Sequence, residues 1–174
     1  MINPLILSSV KTLKIIANFN EPVFSIKDCK LTYRALNHYQ SSGIISDNKH
    51  NKSGWRKLTG LELIWIEIII SLRELGISLE NIIKIKYFLF SKDQFGSIDK
   101  ADFINYSLEQ EVALSVLNNY DLYLVIFSDF TCTFHDSKTI RQWQMKSYKN
   151  ETHINLPLKP IIKEINLKIK HKTS

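Results

Sequence analysis

Cys132, His135 and Asp136 lie within five positions of one another and are side chains that could form a nucleophilic site. A thiol beside an imidazole can lose its proton and attack a carbonyl carbon. A histidine followed by an aspartate is, however, far more common in a turn than in a catalytic site. We therefore interpret His135 as a turn histidine and expect no catalysis there.

The common sequence signatures of enzymes and cofactor sites are absent from this chain. It contains no GxGxxG, GxxxxGK[ST], HExxH or GxSxG pattern, and its five glycines leave little material for a phosphate-cradling loop. Cys29 and Cys132 stand far apart, with no CxxC pattern near either. We expect a protein that is not an enzyme and that has no metal site and no cofactor.

The whole chain has a net charge of +6, and its positive charge is concentrated in the first third. Residues 1–60 hold nine Lys and Arg against three Asp and Glu, residues 61–120 five against nine, and residues 121–174 nine against five. A basic surface attracts polyanions because neutralising phosphates releases condensed counterions. An Ile- and Lys-rich chain also carries solvated lysines without such a partner, so charge alone supports polyanion binding without deciding it.

Composition indicates a folded, cytoplasmic protein. Hydrophobic residues make up 44% of the chain and charged residues 23%, which is ordinary for a globular protein. The most apolar segment, residues 61–77, contains Glu62, Glu67, Arg73 and Glu74, which a membrane span would tolerate poorly. The first residues lack the basic region and apolar core of a secretory signal. We expect no membrane partner.

Hydrophobic periodicity and capping residues predict a helical first half with one hairpin. Helices are expected over residues 9–19, over residues 26–30, from the cap Thr32 to the stop signal Gly43, from the cap Thr59 to Leu75, and over residues 78–90. In the last of these helices we expect Ile82, Ile83, Ile85 and Phe88 to be buried. Between Ile44 and Leu58, two extended segments flank a polar loop, which predicts a β-hairpin wing. The helix after Thr59 is apolar on nearly all sides, so we expect it to be central to the core.

The second half is predicted to hold a long helix and a small α+β lobe. After a linker over residues 91–97, we expect a helix over residues 98–118, strands over 122–127, 130–134 and 152–156, and helices over 137–143 and 157–169, with the last six residues frayed. Both alternating faces of the segment 122–127 are apolar, so we expect this strand to be buried on both faces. Aromatic residues of this half could line a ligand pocket, but core packing would explain them equally well. They are Phe127, Phe130, Phe134, Trp143 and Tyr148.

Three segments of the first half match one protein family in order and spacing. They read YRALNHYQSSGII from Tyr33, KHNKSGWRKLTGLEL from Lys49 and LRELGISLENI from Leu72. They resemble the DNA-binding domain of MerR-type transcription regulators, whose corresponding segments are VRTLRYYEExGLL, GYRxYxxxDL and LRxLGFSLEEI. The resemblance covers roughly residues 24–89, and from Gly43 through Gly54 to Leu63 it needs no gap. It implies a winged helix-turn-helix that binds double-stranded DNA.

On the recognition helix, the resemblance implies several DNA-contacting residues. Arg34 matches the family's arginine, which reaches base edges or phosphates in the major groove. The family has two paired tyrosines here; His38 replaces the first, and Tyr39 matches the second. The Tyr39 hydroxyl is expected to hydrogen-bond to phosphate, or its ring to pack in the core. Tyr33 and Asn37 occupy exposed positions of this helix and are our candidates for base readout.

In the wing, the resemblance implies a second group of contacts. Arg56 matches the arginine that follows the wing glycine, and Trp55 stands where the family has tyrosine. Gly54 is expected to supply a positive φ in the tight turn. Lys49 falls at the family's basic position leading into the wing, and Lys52 adds charge. We expect Lys49, Lys52, Trp55 and Arg56 to contact the DNA, at the phosphate backbone or in a groove.

The chain departs from the family in front of the recognition helix. Four fewer residues separate Phe24 from Arg34 than in the family pattern FSIGELAKxTGVSVR, so the turn is contracted. Members of the family also begin almost at Phe24, whereas here a helix precedes it. This extra helix is expected either to rebuild the missing support or to form an interface.

Together these observations predict a mainly α fold with small β elements. Residues 1–90 are expected to form the winged helix-turn-helix lobe, residues 97–118 a linking and dimerisation helix, and residues 119–174 an α+β effector or interaction lobe. The predicted function is that of a sequence-specific, homodimeric transcription regulator that binds double-stranded DNA and receives a small-molecule or protein effector at its C-terminal lobe.

Two alternative functions stay open from the sequence. One is a DNA-architectural accessory protein of a mobile element, such as an excisionase or partition factor, which would use the same fold without regulating transcription. The other is a protein-interaction module that has lost DNA binding, for which the contracted turn is the support.

Overall fold

A computed structural model describes residues 4–46, 57–90, 107–146 and 152–173. Within these ranges the helices are α1 (Pro4–Asn20), α2 (Tyr33–Ser41), α3 (Gly60–Glu74), α4 (Leu79–Phe90), α5 (Leu108–Asn118), α6 (Ser137–Lys146) and α7 (Lys159–Thr173). The strands β1 (Leu122–Phe127), β2 (Cys132–Asp136) and β3 (His153–Pro157) form one sheet, and a 3₁₀ turn covers Ile26–Asp28. The predicted fold, mainly α with small β elements, is confirmed.

The predicted caps set the limits of α2 and α3. The Thr32 hydroxyl accepts a hydrogen bond from the Ala35 amide at 3.2 Å, and Gly43 ends the helix with a φ of 72°. At α3, Thr59 and Glu62 form a capping box in which each side chain accepts from the other residue's amide, at 3.0 and 2.8 Å. The limits of both helices therefore follow from residues that adjoin them in sequence.

Helix α3 is the centre of the core. Most of its side chains are buried, and these residues are Leu61, Leu63, Ile64, Trp65, Ile66, Ile68, Ile69 and Leu72. A helix that is apolar nearly all round must be covered on all sides, as expected from the sequence. Among the described helices, none is both long enough and apolar enough to cross a membrane.

Helix α4 buries a different set of residues from the one predicted. Ile82, Ile85 and Leu89 are buried, whereas Ile83 is 42% exposed. The three buried side chains follow the helical period, and Ile83 lies about 100° around the helix from Ile82. The prediction that Ile83 would be buried was therefore wrong.

The sheet has the strand order β2-β1-β3, and both pairs are antiparallel. Leu124 of the central strand lies opposite Phe134 on one side and Leu156 on the other. The two faces of β1 pack on different partners: Leu122, Leu124 and Ile126 join the main core, and Val125 packs with Ile140 of α6. The prediction of a strand covered on both faces is confirmed.

The hairpin between β1 and β2 is longer in its turn than predicted. β2 begins at Cys132 rather than at Phe130, because Phe130 has a left-handed φ of 66°. The Asp129 carboxylate accepts hydrogen bonds from the Thr131 amide at 3.0 Å and from its hydroxyl at 2.7 Å. These bonds close the turn and delay the second strand.

The last residues of α7 are helical to Thr173, so the prediction of a frayed C-terminal segment was wrong. Ile162, Ile165 and Ile169 are each 3% exposed and pack in the main core. The Lys172 ammonium contacts the Asp28 carboxylate at 3.2 Å, beside the 3₁₀ turn. Burial of the apolar stripe outweighs the loss of chain entropy in the final turns.

One hydrophobic core runs through the described elements, from Phe19 of α1 to Ile169 of α7. α1 packs mainly on α5, and α7 packs mainly on α3. At the start of α3, a Cβ added to Gly60 would lie 2.9 Å from Ile169 Cδ1 and 3.1 Å from Phe19 Cδ1, so the glycine permits the close approach of three helices. The N-terminal and C-terminal halves therefore share one core.

Part of the predicted linking helix takes part in this core. Residues 108–118 form α5, which packs on α1, α7 and β1 of the same chain. Residues 97–106 lie outside the described residues. The predicted domain limits and the dimerisation role of this helix stay predictions.

Candidate nucleic-acid interface

Four of the predicted contact residues share the exposed face of α2. Tyr33 is 61% exposed, and Arg34, Asn37 and His38 are also exposed. Arg34, Asn37 and His38 follow Tyr33 by one, four and five positions. This spacing places all four on one side of the helix, away from the buried Leu36. The structure thus brings together a guanidinium, a phenol, an amide and an imidazole on one surface.

Tyr39 lies at the edge of this face. Its ring is half-buried and packs against the main core, 6.0 Å from the His38 ring. Its carbonyl accepts hydrogen bonds from the amides of Ile44 and Ile45 at 2.9 and 3.1 Å. Tyr39 therefore helps to hold the end of α2, and a phosphate contact by its hydroxyl stays a prediction.

The C-terminal end of α2 is held by α3 and α4. Trp65 Nε1 donates to the Ile44 carbonyl at 2.9 Å, and the Lys86 ammonium donates to the Gly43 carbonyl at 2.8 Å. Burial lowers the pKa of Lys86. An ammonium beside the last carbonyls also interacts favourably with the helix dipole. Sequence reasoning missed both positioning residues, because neither the 3.6-residue period nor capping patterns indicate which distant carbonyl a side chain reaches.

The N-terminal end of α2 follows the 3₁₀ turn, which replaces the longer first helix of the family pattern. The Asp28 carboxylate accepts hydrogen bonds from the Ser25 amide at 2.7 Å and from the Ser25 hydroxyl at 3.0 Å. Burial raises the pKa of Asp28, but these bonds and the Lys172 ammonium outweigh it and hold the pKa below its ordinary value. Asp28 is therefore ionised at neutral pH and joins the contracted turn to α7.

The base of the predicted wing is anchored at Leu58, which pairs with Phe24 just before the 3₁₀ turn. Phe24 and Leu58 exchange two backbone hydrogen bonds, at 3.0 and 2.7 Å. The predicted wing residues lie between these anchors, outside the described residues, and their DNA contacts stay predictions. They are Lys49, Lys52, Gly54, Trp55 and Arg56.

The Cys132 and His135 pair has a different place from the one expected. His135 lies in β2 and is 4% exposed, so its interpretation as a turn histidine was wrong. Burial raises the pKa of the Cys132 thiol to about 12 and lowers the pKa of His135. A thiol that stays protonated at neutral pH is a poor nucleophile.

The aromatic residues of the C-terminal half pack against hydrophobic clusters. Phe130 and Phe134 contact the main core, and Phe127 contacts the Val125 and Ile140 cluster. The side chain of Trp143 and all of Tyr148 lie outside the described residues. A cavity of about 220 Å³ occurs elsewhere, between α3 and α7, where the Lys30 and Glu67 ion pair of 2.7 Å lies in its wall.

Glu111 of α5 is 9% exposed and accepts a hydrogen bond from the Tyr120 hydroxyl at 2.9 Å. Burial raises the pKa of its carboxyl, the Tyr120 bond opposes this, and the nearby Asp136 raises it further. Because the folded-state pKa is raised, protonated Glu111 stabilises the folded state relative to the unfolded chain. This contribution is complete below about pH 4.3, the ordinary glutamate pKa, and is lost as pH rises through the folded-state pKa.

Glu111→Gln should therefore stabilise the protein at neutral pH and reduce the loss of stability that accompanies a rise in pH above about 4.3. The free energy of unfolding, measured by urea denaturation at several pH values, checks this. Glu80→Gln, at a side chain that is 84% exposed, serves as the control. Equal pH dependence in wild type and Glu111→Gln would contradict the expectation.

Comparison with known proteins identifies the N-terminal elements. The family model described as MerR HTH family regulatory protein matches residues 26–87, from the 3₁₀ turn into α4. The matched segment is therefore similar to the helix-turn-helix of MerR-type regulators. The MerR-type match confirms the resemblance and supports a DNA-binding transcription regulator. No curated protein and no solved structure matches the chain.

Proposed function

We propose that this protein is a sequence-specific transcription regulator that binds double-stranded DNA through the MerR-type domain and acts as a homodimer. The observation that carries the proposal is the exposed face of α2, which presents Tyr33, Arg34, Asn37 and His38 together. A helix of this kind fits the major groove, whose base edges differ in their pattern of donors and acceptors. The homodimer rests on the family resemblance.

The supports of α2 favour DNA binding because they keep its exposed face rigid. Thr32 caps the first turn, and Trp65 and Lys86 hold the carbonyls that follow the last turn. A preorganised contact surface loses less conformational entropy on binding. In the proposed complex, Arg34 and the wing residue Arg56 contact phosphate or guanine, and Tyr33 and Asn37 read bases.

The C-terminal half is proposed to receive an effector and to influence α2 through α7. Helix α7 follows closely after β3. Near its other end, Lys172 contacts the carboxylate of Asp28, which belongs to the 3₁₀ turn that leads into α2. A displacement of the sheet would therefore be passed to the turn through a continuous helix.

A fluorescence titration of a labelled mixed-sequence duplex of about 30 base pairs, long enough for two half-sites, tests the proposed function. If Arg34, Lys49, Lys52 and Arg56 each neutralise one phosphate, the two protomers make about eight contacts, and the affinity should fall about ten-thousandfold between about 50 and 200 mM KCl. Absence of binding at the lowest salt, together with a co-purifying protein, would favour the interaction-module alternative. Binding that salt leaves unchanged would also contradict the proposal.

A further inference from the structure

The cavity of about 220 Å³ lies where α7 meets α3 and the turn before α2. Asp28 belongs to that turn and Lys30 follows it, whereas α3 contributes Leu63 and Glu67. The rest of the wall comes from α7, with Pro160, Ile161, Glu164, Ile165 and Lys168. A molecule held in this cavity would therefore contact both core helices and the turn that leads into α2.

One part of the cavity wall is apolar. Leu63 is 2% exposed and Ile165 is 3% exposed, and Pro160 and Ile161 extend this part of the wall towards the surface. Such a wall favours an aliphatic group, because contact removes apolar area from water. An apolar cavity of about 150 Å³ holds one benzene molecule, so about 220 Å³ suits a ligand of roughly nine non-hydrogen atoms.

The other part of the wall carries charges of both signs. The Lys30 ammonium lies 2.7 Å from the Glu67 carboxylate, and the Lys168 ammonium lies 2.7 Å from the Glu164 carboxylate. The hydrogen bond to Glu67 raises the pKa of Lys30, burial opposes this, and the charge of Glu164 raises it further. The two ion pairs are therefore close enough to act on each other.

These ion pairs can exchange partners with a ligand. The side chains of Lys30, Glu164 and Lys168 are 67%, 58% and 39% exposed, and ion pairs at such positions contribute little to stability. A ligand with one charge would leave groups of the same sign as its own without a partner, whereas a zwitterion pairs with both signs. Asp28 is less available, because it is bonded to Lys172.

We propose that this cavity binds a small zwitterion with a short aliphatic side chain, such as a branched-chain α-amino acid. The ligand's ammonium pairs with Glu67 and Glu164, its carboxylate pairs with Lys30 and Lys168, and its side chain lies on the apolar part of the wall. The site gives the effector of the proposed function a place beside the turn before α2. Ligand binding itself does not require DNA.

Isothermal titration calorimetry of the full chain with L-leucine, which has this number of non-hydrogen atoms, tests the inference. We expect a dissociation constant below about 1 mM. Isoamylamine lacks the carboxylate of leucine and isocaproate lacks its amine, so each should bind at least about tenfold more weakly. Absence of leucine binding up to about 10 mM, or equally tight binding of either analogue, would overturn the proposal.

Two variants test the position of the ligand. Glu67→Gln and Lys168→Gln should each weaken leucine binding at least about tenfold, because each removes one charged partner. Glu74→Gln and Lys163→Gln change exposed residues of the same two helices outside the cavity wall and should leave the affinity unchanged. Equal affinity in all these variants would overturn the site, and thermal unfolding checks that each one is folded.

The calorimetric titration contains no DNA, and the duplex titration contains no leucine. Absence of leucine binding in a protein that binds DNA would therefore overturn the site alone. Leucine binding in a protein that does not bind DNA would support the site and contradict the proposed function.

Discussion

The Arg34→Ala, Arg56→Ala double variant is expected to bind duplex DNA at least about a hundredfold more weakly than wild type, since each lost contact costs about 1–3 kcal/mol. Arg34 lies on the exposed face of α2, so its removal leaves the core untouched. Arg56 is expected to contact phosphate from the wing by its match to the family. The dissociation constant from fluorescence titration is the quantity to compare.

The two single variants should differ in kind. Arg34→Ala should weaken binding to some sequences more than to others if its guanidinium reaches a guanine edge, whereas Arg56→Ala should weaken all sequences alike. Arg141→Ala removes an exposed arginine of α6 and serves as the matched control. Unchanged affinity in the double variant would refute this assignment of contacts.

Ile169→Ala is expected to lower the free energy of unfolding by about 2–4 kcal/mol, because it leaves a cavity where α7, α1 and the start of α3 meet. Ile169 is 3% exposed, and its Cδ1 atom lies 2.9 Å from the position of a Cβ added to Gly60. A frayed final turn would instead make the substitution almost neutral. Urea denaturation followed by circular dichroism gives the value.

Leu167→Ala on the same helix is the control for this substitution. Leu167 is 49% exposed, so its truncation should cost less than about 1 kcal/mol. If both substitutions cost the same small amount, the last turns of α7 do not pack on the core. If only Ile169→Ala is destabilising, the packing of α7 on the MerR-type domain is supported.

Most limits of the helices and strands could be predicted from the sequence. Thr32, Thr59, Gly43 and Gly76 act on amides and carbonyls a few positions away, so their effect is visible in the local pattern. The alternation along Leu122–Phe127 likewise predicted a strand covered on both faces. The exposed residues of α2 were found through the family resemblance and the helical period.

The errors concern residues whose environment depends on distant parts of the chain. His135 was assigned to a turn from its neighbours, but the bonds between β1 and β2 place it in a strand. Local composition also suggested a frayed C-terminal segment, whereas Ile169 packs near Phe19, 150 positions earlier in the chain. Neither contact leaves a signal within a window of a few residues.

By itself, the sequence determined the MerR-type pattern, the capped recognition helix and the basic first third, because these depend on residue types at short spacing. Only the tertiary structure decided that α7 packs on α3 and ends at Asp28, and that Trp65 and Lys86 hold the end of α2. The physical reason is that these contacts join residues far apart in the chain, and they form only when the shared hydrophobic core brings the helices together.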